Sequence, residues 1–227
     1  MRITFFVLCL AAASLVHAQE ADLISADRPG LADGSTTVRR GAFQVELGLE
    51  RDDENESRTL TTPLLLRYGL TEALELRVET SGWERTTAGG RSDSRFAPLA
   101  AGIKYRFLNE PSAGIIASIG EHASGDVLLT ADFDLGEKWS INPNLGIVSE
   151  NDGRRMTSGF GALTIQRNLT EKANVFIDGA ADSSSLLLDA GAAWILGRDT
   201  QLDVSIGWSA HSEGPNVFWS AGISRRF

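Results

Sequence analysis

The chain has 227 residues, with 21 basic and 30 acidic side chains, a net charge of −9, and 42% hydrophobic residues. The surplus of carboxylates excludes recognition of a phosphate backbone, so no nucleic-acid partner is expected. The hydrophobic content suffices for one large all-β domain or two small ones, and composition alone does not choose.

Residues 1–18, MRITFFVLCLAAASLVHA, open with the basic Arg2, continue apolar from Ile3 to Val16 and end on the small Ala18. This is the layout of a secretory signal peptide cleaved before Gln19, and the run is shorter than the roughly 20 residues of a spanning helix. The one cysteine, Cys9, lies inside it, so the exported chain is expected to carry no thiol and hence no disulfide. Losing Arg2 leaves 20 basic against 30 acidic side chains, a net charge of −10. Residues 19–41 are polar and show no strand alternation. They are expected as a periplasmic segment that enters a barrel lumen as a partial plug. After residue 18 no apolar run approaches the roughly 20 residues of a spanning helix, which excludes transmembrane helices but not a transmembrane β-barrel, whose signal per strand is weak.

From residue 42 onward the chain alternates. Phe43 to Glu50 (FQVELGLE), Leu74 to Glu79 (LELRVE), Ile103 to Phe107 and Gln201 to Trp208 each have one apolar face and one polar or charged face. Five short turns of one kind recur, in RYGLTEALEL, RFLNEPSAG, FDLGEKWSI, RNLTEKANV and WILGRDTQL. Between them lie longer polar connections such as RDDENES, ERTTAGGRSDSR, EHASGD and SENDGRR. The two kinds alternate and delimit about a dozen segments of roughly 9 to 12 residues, the length of a tilted membrane strand. The expectation is an all-β fold, an antiparallel transmembrane β-barrel of about 12 strands over residues 42–227. It would sit in a bacterial outer membrane, with short turns and both termini periplasmic and long loops extracellular.

A barrel has one interior, and lining it with Glu75, Arg77 and Glu79 makes sense if it is wet, so Leu74, Leu76 and Val78 are expected to face lipid. A neutral replacement of Glu75 should then be tolerated. The same parity directs Glu46, Glu50, Glu75, Glu79, Asp126, Asp132, Asp134, Asp178, Asp189 and Asp203 inward, against Arg67, Arg77, Lys104, Arg106 and Arg226. The lumen is therefore expected to be mixed but acidic, with a mild preference for cations. Tyr68, Tyr105, Phe107, Phe133, Trp139, Trp194 and Phe227 fall near the short turns, where an interfacial girdle belongs. Two prolines, Pro63 and Pro143, lie within expected strands and require a bulge or kink. Met156 to Arg167 shows no clear alternation, and its facing is unassigned.

Of the histidines only His122 and His211 follow the signal peptide, a poor inventory for a metal site, and neither a metal nor a cofactor is expected. In GEHASGD, His122 and Ser124 resemble the His-x-Ser pair of a twelve-stranded outer-membrane phospholipase, which raises an acyl hydrolase as one alternative. Ala113, Ile115, Ala117 and Ile119 mark the lipid face, however, and His122 falls on the opposite parity. No catalytic residue is expected, and the chain is read as a non-enzyme. A closed structural or adhesion barrel without transport is the other alternative.

Asp27-Arg28-Pro29, the strand opening Gly41, Phe43, Gln44 and Glu46, the repeated Leu-Thr-Glu turns and the terminal Ser224, Arg226 and Phe227 resemble the MetA-pathway of phenol degradation family of outer-membrane barrels. The resemblance implies a channel or transporter for small solutes, aromatic or hydrophobic compounds among them. Its partners would be outer-membrane lipid and lipopolysaccharide, a small-molecule solute, and the barrel-assembly machinery. Phe227, with Ile223, Ala221 and Trp219 on the same face, looks like the terminal strand that this machinery recognises, although Arg225 stands where an aromatic is usual.

Overall fold

The computed structural model describes residues 23–54, 56–151, 155–183, 185–211 and 214–227; the signal-peptide reading and Cys9 lie outside the described residues. In chain order the strands are β1 (Phe43–Glu54), β2 (Ser57–Thr61), β3 (Leu64–Gly69), β4 (Leu74–Thr80), β5 (Trp83–Ala88), β6 (Arg91–Phe96), β7 (Ala100–Asn109) and β8 (Ser112–Ile119). They continue as β9 (Gly125–Asp134), β10 (Trp139–Asn151), β11 (Arg155–Thr170), β12 (Ala173–Ala181), β13 (Leu186–Leu196), β14 (Thr200–His211) and β15 (Gly214–Arg226). All form one antiparallel sheet, and β1 also pairs with β15, from Gln44 opposite Arg226 to Asp53 opposite Val217, which closes it. The pairs β2/β3, β4/β5 and β6/β7 are halves of interrupted strands, so the wall consists of twelve staves. Closure gives the backbone polar groups of the wall partners within the sheet, the condition for standing in hydrocarbon.

Burial along the strands is inverted relative to a water-soluble protein. Leu76 is 43% exposed while its neighbour Glu75 is fully covered. The largest side chains with no exposure include Arg67, Lys104, Gln44 and Glu46, all on the inner face. An apolar exterior around a charged interior is stable when the outer solvent is lipid. The seven girdle aromatics named above are between 37 and 67% exposed. Leu76→Arg is accordingly expected to cost about 2–4 kcal/mol if the residue lies near the bilayer midplane. Urea titration of the barrel folded into liposomes measures this; an unchanged midpoint would mean that Leu76 does not face lipid.

The two prolines are accommodated differently. Pro63 occupies the break between β2 and β3. Pro143 stays within β10 opposite Leu163, but toward β9 the ladder passes from Ile141–Phe133 to Asn144–Thr130, and Asn142 Nδ2 donates to the Ala131 carbonyl at 3.0 Å. The N–H that proline lacks thus falls at an interruption of the ladder.

The facing of β11 follows from its register. Thr164 stands opposite Asp178, which directs Phe160, Ala162, Thr164 and Gln166 inward and Gly159, Gly161, Leu163 and Ile165 outward. Ala162 is buried with Ala32 and Ala180, and Leu31 and Phe160 pack against them. Alternation fails in Met156 to Arg167 because the inner face meets an apolar piece of chain and the outer face carries glycines.

Candidate functional site

The interior is occupied by the residues that precede β1. Ile24 N donates to the Arg198 carbonyl in the β13–β14 turn at 2.8 Å, and at the other end Gly41 N donates to Gly69 O at 2.7 Å beside the β3–β4 turn. The segment therefore enters and leaves at the short-turn end, with its tip at Pro29 to Leu31.

A segment without strand partners must find acceptors for its amides, and the inner wall supplies them as side chains. Glu46 accepts from Asp27 N at 3.1 Å and Arg28 N at 3.0 Å, Asp178 from Leu31 N at 2.8 Å, and Glu75 from Val38 N at 2.7 Å. Asn144 accepts from Asp33 N at 2.8 Å and donates back to Asp33 O at 3.0 Å, while Asp132 accepts from Ser35 N at 2.9 Å. Ser35 Oγ also donates to Ser112 Oγ at 2.7 Å.

Two side chains of the segment form its electrostatic anchors. The Asp27 carboxylate accepts from Lys104 Nζ at 2.9 and 3.0 Å and from Arg77 Nη1 at 2.5 Å, with Arg67 Nη1 3.4 Å away. Burial alone would push the Asp27 carboxyl up; the charges of Arg67, Lys104 and Arg77 overcome this and hold it well below the usual carboxylate range. Arg67 is itself paired with Glu75 through Nε at 2.8 Å and Nη2 at 2.9 Å, and with Glu46 through Nη1 at 2.9 Å.

Arg28 reaches the opposite wall, with Nη1 3.1 Å from Glu50 and Nη2 2.5 Å from Ser220 Oγ and 3.4 Å from Asp203. Its guanidinium lies over Gly48 and Gly222, which face each other across β1 and β15. A Cβ on either glycine would come within 2.4 Å of it, so the close approach requires both.

The other inward-directed residues have local partners or open surroundings. Arg226 pairs with Asp199 at 2.9 Å and Arg106 Nη2 donates to Glu72 O at 2.8 Å, both at the short-turn rim. Ser118 donates to Asp126, Glu79 lies 3.9 Å from Arg77, and Asp134 is exposed. The difference from the sequence reading lies in what covers the charges: Glu46, Arg67, Glu75 and Lys104 are sealed by the N-terminal segment, not by water. Replacing Glu75 by a neutral residue therefore leaves Arg67 and Val38 N short of a partner and is not expected to be silent. Sequence reasoning named Gln44 only as part of the strand opening and passed over Asn144, Gln201 and Ser220, which also hold the segment without charge; parity with Glu46, Asp203 and Arg226 was the signal available for Gln44, Gln201 and Ser220.

His122 is exposed in the single turn Glu121–Ala123, its Nε2 3.5 Å from Glu121. The side chain of His211 lies outside the described residues. Among the described residues no group of three or more His, Cys, Asp or Glu is arranged to hold a metal ion.

Two cavities flank the segment. One of about 820 Å³ opens at the short-turn end between the segment and Asp132, Asn142, Gln166 and Asn174. The other, about 500 Å³, reaches Glu54 and Ser57 at the β1–β2 hairpin. Pro29 and Gly30 line both.

Solved structures share this architecture. The COG4313 outer membrane channel from Pseudomonas putida F1 superposes with a TM-score of 0.63 at 15% identity, covering 85% of this chain and 98% of that one. The KdgM porin in complex with disordered oligogalacturonate gives 0.59 at 10% identity over 81% and 99% of the two chains. The NanC porin gives 0.54 at 6% identity over 80% and 98%. No curated protein matches the sequence. At these identities the likeness establishes the barrel, while the sequence itself matches a family profile over residues 26–227, nearly the whole described chain. The chain belongs to the family described as "Putative MetA-pathway of phenol degradation".

Proposed function

We propose that the chain is an outer-membrane channel for small solutes in which the segment preceding β1 is the barrier. The observation that carries this is that Pro29 and Gly30 touch both cavities: the path between the two ends of the barrel is closed there by the thickness of one loop tip. The short turns and both termini face the periplasm in this reading, the long loops face outward, and the exposed Phe227 ends the strand presented to the barrel-assembly machinery. The inward cations Arg67, Arg77 and Lys104 are consumed by ion pairs, whereas Asp132, Asp134, Glu54 and Asp189 line the cavities. Neutral and cationic solutes are therefore favoured over anions.

The segment can be locked in place to test this. Ser35→Cys with Ser112→Cys replaces two hydroxyls 2.7 Å apart by thiols within disulfide reach, and Cys9 in the expected signal peptide is the chain's one native cysteine. Swelling of liposomes in a small neutral solute is expected to fall in the oxidised double variant and to recover on reduction. Equal swelling in both states would show that the segment is not the barrier.

One observation favours a second route for apolar compounds. The breaks at Thr62–Pro63, Ser81–Gly82 and Ala97–Leu99 lie side by side, joined by Thr62 N to Ser81 O at 3.1 Å and Ala97 N to Gly82 O at 2.8 Å. A cavity of about 400 Å³ at this level runs from Arg28, Glu46 and Glu79 to Leu64, Ser81 and Pro98. Entry through the wall at these breaks predicts that uptake of an apolar solute survives in the oxidised Ser35→Cys, Ser112→Cys variant, whose lock stops the polar one.

A further inference from the structure

The cavity at the long-loop end has an uneven lining. Pro29 and Leu31 of the segment tip, Leu187 and Phe218 give it an apolar part, whereas Glu50, Asp52, Glu54 and Asp189 bring carboxylates to it. Asp189 is the anomaly: it is only 7% exposed, the Asp178 carboxyl and the Ser205 hydroxyl lie beside it, and neither of its carboxyl oxygens makes a hydrogen bond of normal geometry. Its cross-strand neighbour Asp178 also has one oxygen, Oδ1, without a partner, so that strand pair offers no cation to compensate it. Arg28, the nearby inward cation, is already held by Glu50, Ser220 and Asp203. Arg51 at the cavity edge is bound to Asp53. A covered carboxylate beside a second one is unstable as a bare anion, and either holds a proton or is completed by a cation that displaces it.

We propose that this vestibule binds a small organic ammonium ion, with its charged head on Asp189 and its apolar body against Leu187 and Phe218. An ammonium supplies up to three N–H donors and the positive charge that Arg28 and Arg51, already engaged elsewhere, do not bring to Asp189. The apolar side of the cavity fits a carbon body and not the hydration shell of an inorganic cation, and the carboxylates are not arranged as metal ligands. A cavity of about 500 Å³ has room for one aromatic ring and its substituent. The site rests on the reading of the lumen as a passage, since it places the ligand at the outer mouth of that passage.

The test is isothermal titration calorimetry of the full barrel in nanodiscs of zwitterionic lipid, with benzylammonium chloride at constant ionic strength and benzyl alcohol as the uncharged comparison. Saturable one-site binding of benzylammonium is expected, with none of benzyl alcohol. Asp189→Asn should weaken it by about tenfold or more, the loss of one charge-assisted contact. Phe218→Ala should weaken it severalfold with every charge in place, which keeps the proposal testable if Asp189→Asn does not fold. Glu137→Gln in the β9–β10 turn should change nothing. No saturable binding to the wild type, equal affinity for benzyl alcohol, or undiminished binding by a folded Asp189→Asn variant would each overturn the site. Liposome swelling is read separately: swelling intact with binding absent overturns the site alone, and binding intact with swelling absent overturns the passage alone.

Discussion

Arg67→Leu is expected to destabilise the barrel by about 3–5 kcal/mol, the cost of removing one partner from a buried ionic cluster. The arginine is fully covered and satisfies Glu75 twice, Glu46 once and two carbonyls of the segment, those of Ser25 and Thr36. Without it, Glu46 keeps only amide donors, and Glu75 keeps only Val38 N and the more distant Arg77, 3.5 Å away. Most of the effect comes from those stranded carboxylates, so combining Arg67→Met with Glu46→Gln and Glu75→Gln should recover a large part of the stability, although the single changes are costly. The urea midpoint of tryptophan fluorescence in liposomes measures both variants. A single variant within about 0.5 kcal/mol of wild type, the range of an ordinary surface change, would mean that the cluster is not closed off from water.

Removing the two anchors of the segment is expected to raise conductance as well as to cost stability, because the buried Lys104 and Arg77 lose the Asp27 carboxylate. The double variant Asp27→Ala, Arg28→Ala breaks the contacts to Lys104, Arg77 and Arg67 on one side and to Glu50, Ser220 and Asp203 on the other. The tip at Pro29 and Gly30 then keeps only backbone contacts to the wall, such as Leu31 N on Asp178 and Gln201 on the Arg28 carbonyl, and single-channel conductance in a planar bilayer should rise severalfold. Unchanged conductance in a folded variant would mean that the backbone contacts alone hold the segment. The wild type should show a related acid response. The Asp27 carboxyl is depressed in the folded state, so its contribution is present above the unfolded value near 3.8 and is lost as pH falls through the lower folded value. Conductance should therefore stay low from neutral pH down past 4 and increase only in stronger acid.

The barrel could be read from the sequence because its signal is local. Leu74 to Glu79 alternates over six residues, and each short turn states its own hairpin. Closure of β1 on β15 then follows once the strand number is even and the exterior is apolar. The interior was legible only by parity. Parity placed Arg67 and Glu75 on the inner face but could not say what would cover them, because the segment residues they bond lie 31 or more positions away and have no periodicity of their own. Met156 to Arg167 was unreadable for the same reason. Its inner face is adapted to Ala32 and Leu31, and an alternating pattern reports the solvent on each side of a strand, not a piece of the same chain.

Arg28 stands at one particular place on the wall. Glu50 and Ser220, which it joins, are register partners across the first and last strands, and the glycines beneath it, Gly48 and Gly222, are the next inward-facing pair along the same line. The line where β1 meets β15 cannot zip before the whole chain has been made, so it is the latest junction of the wall to form. The guanidinium fastens it from within, like a clasp across the ends of a belt. Its full set of partners comes into being at the moment of closure, and from then on it resists the parting of those two strands. Holding the wall shut and holding the segment inside it thus depend on one side chain, so whatever loosens Arg28 loosens both together.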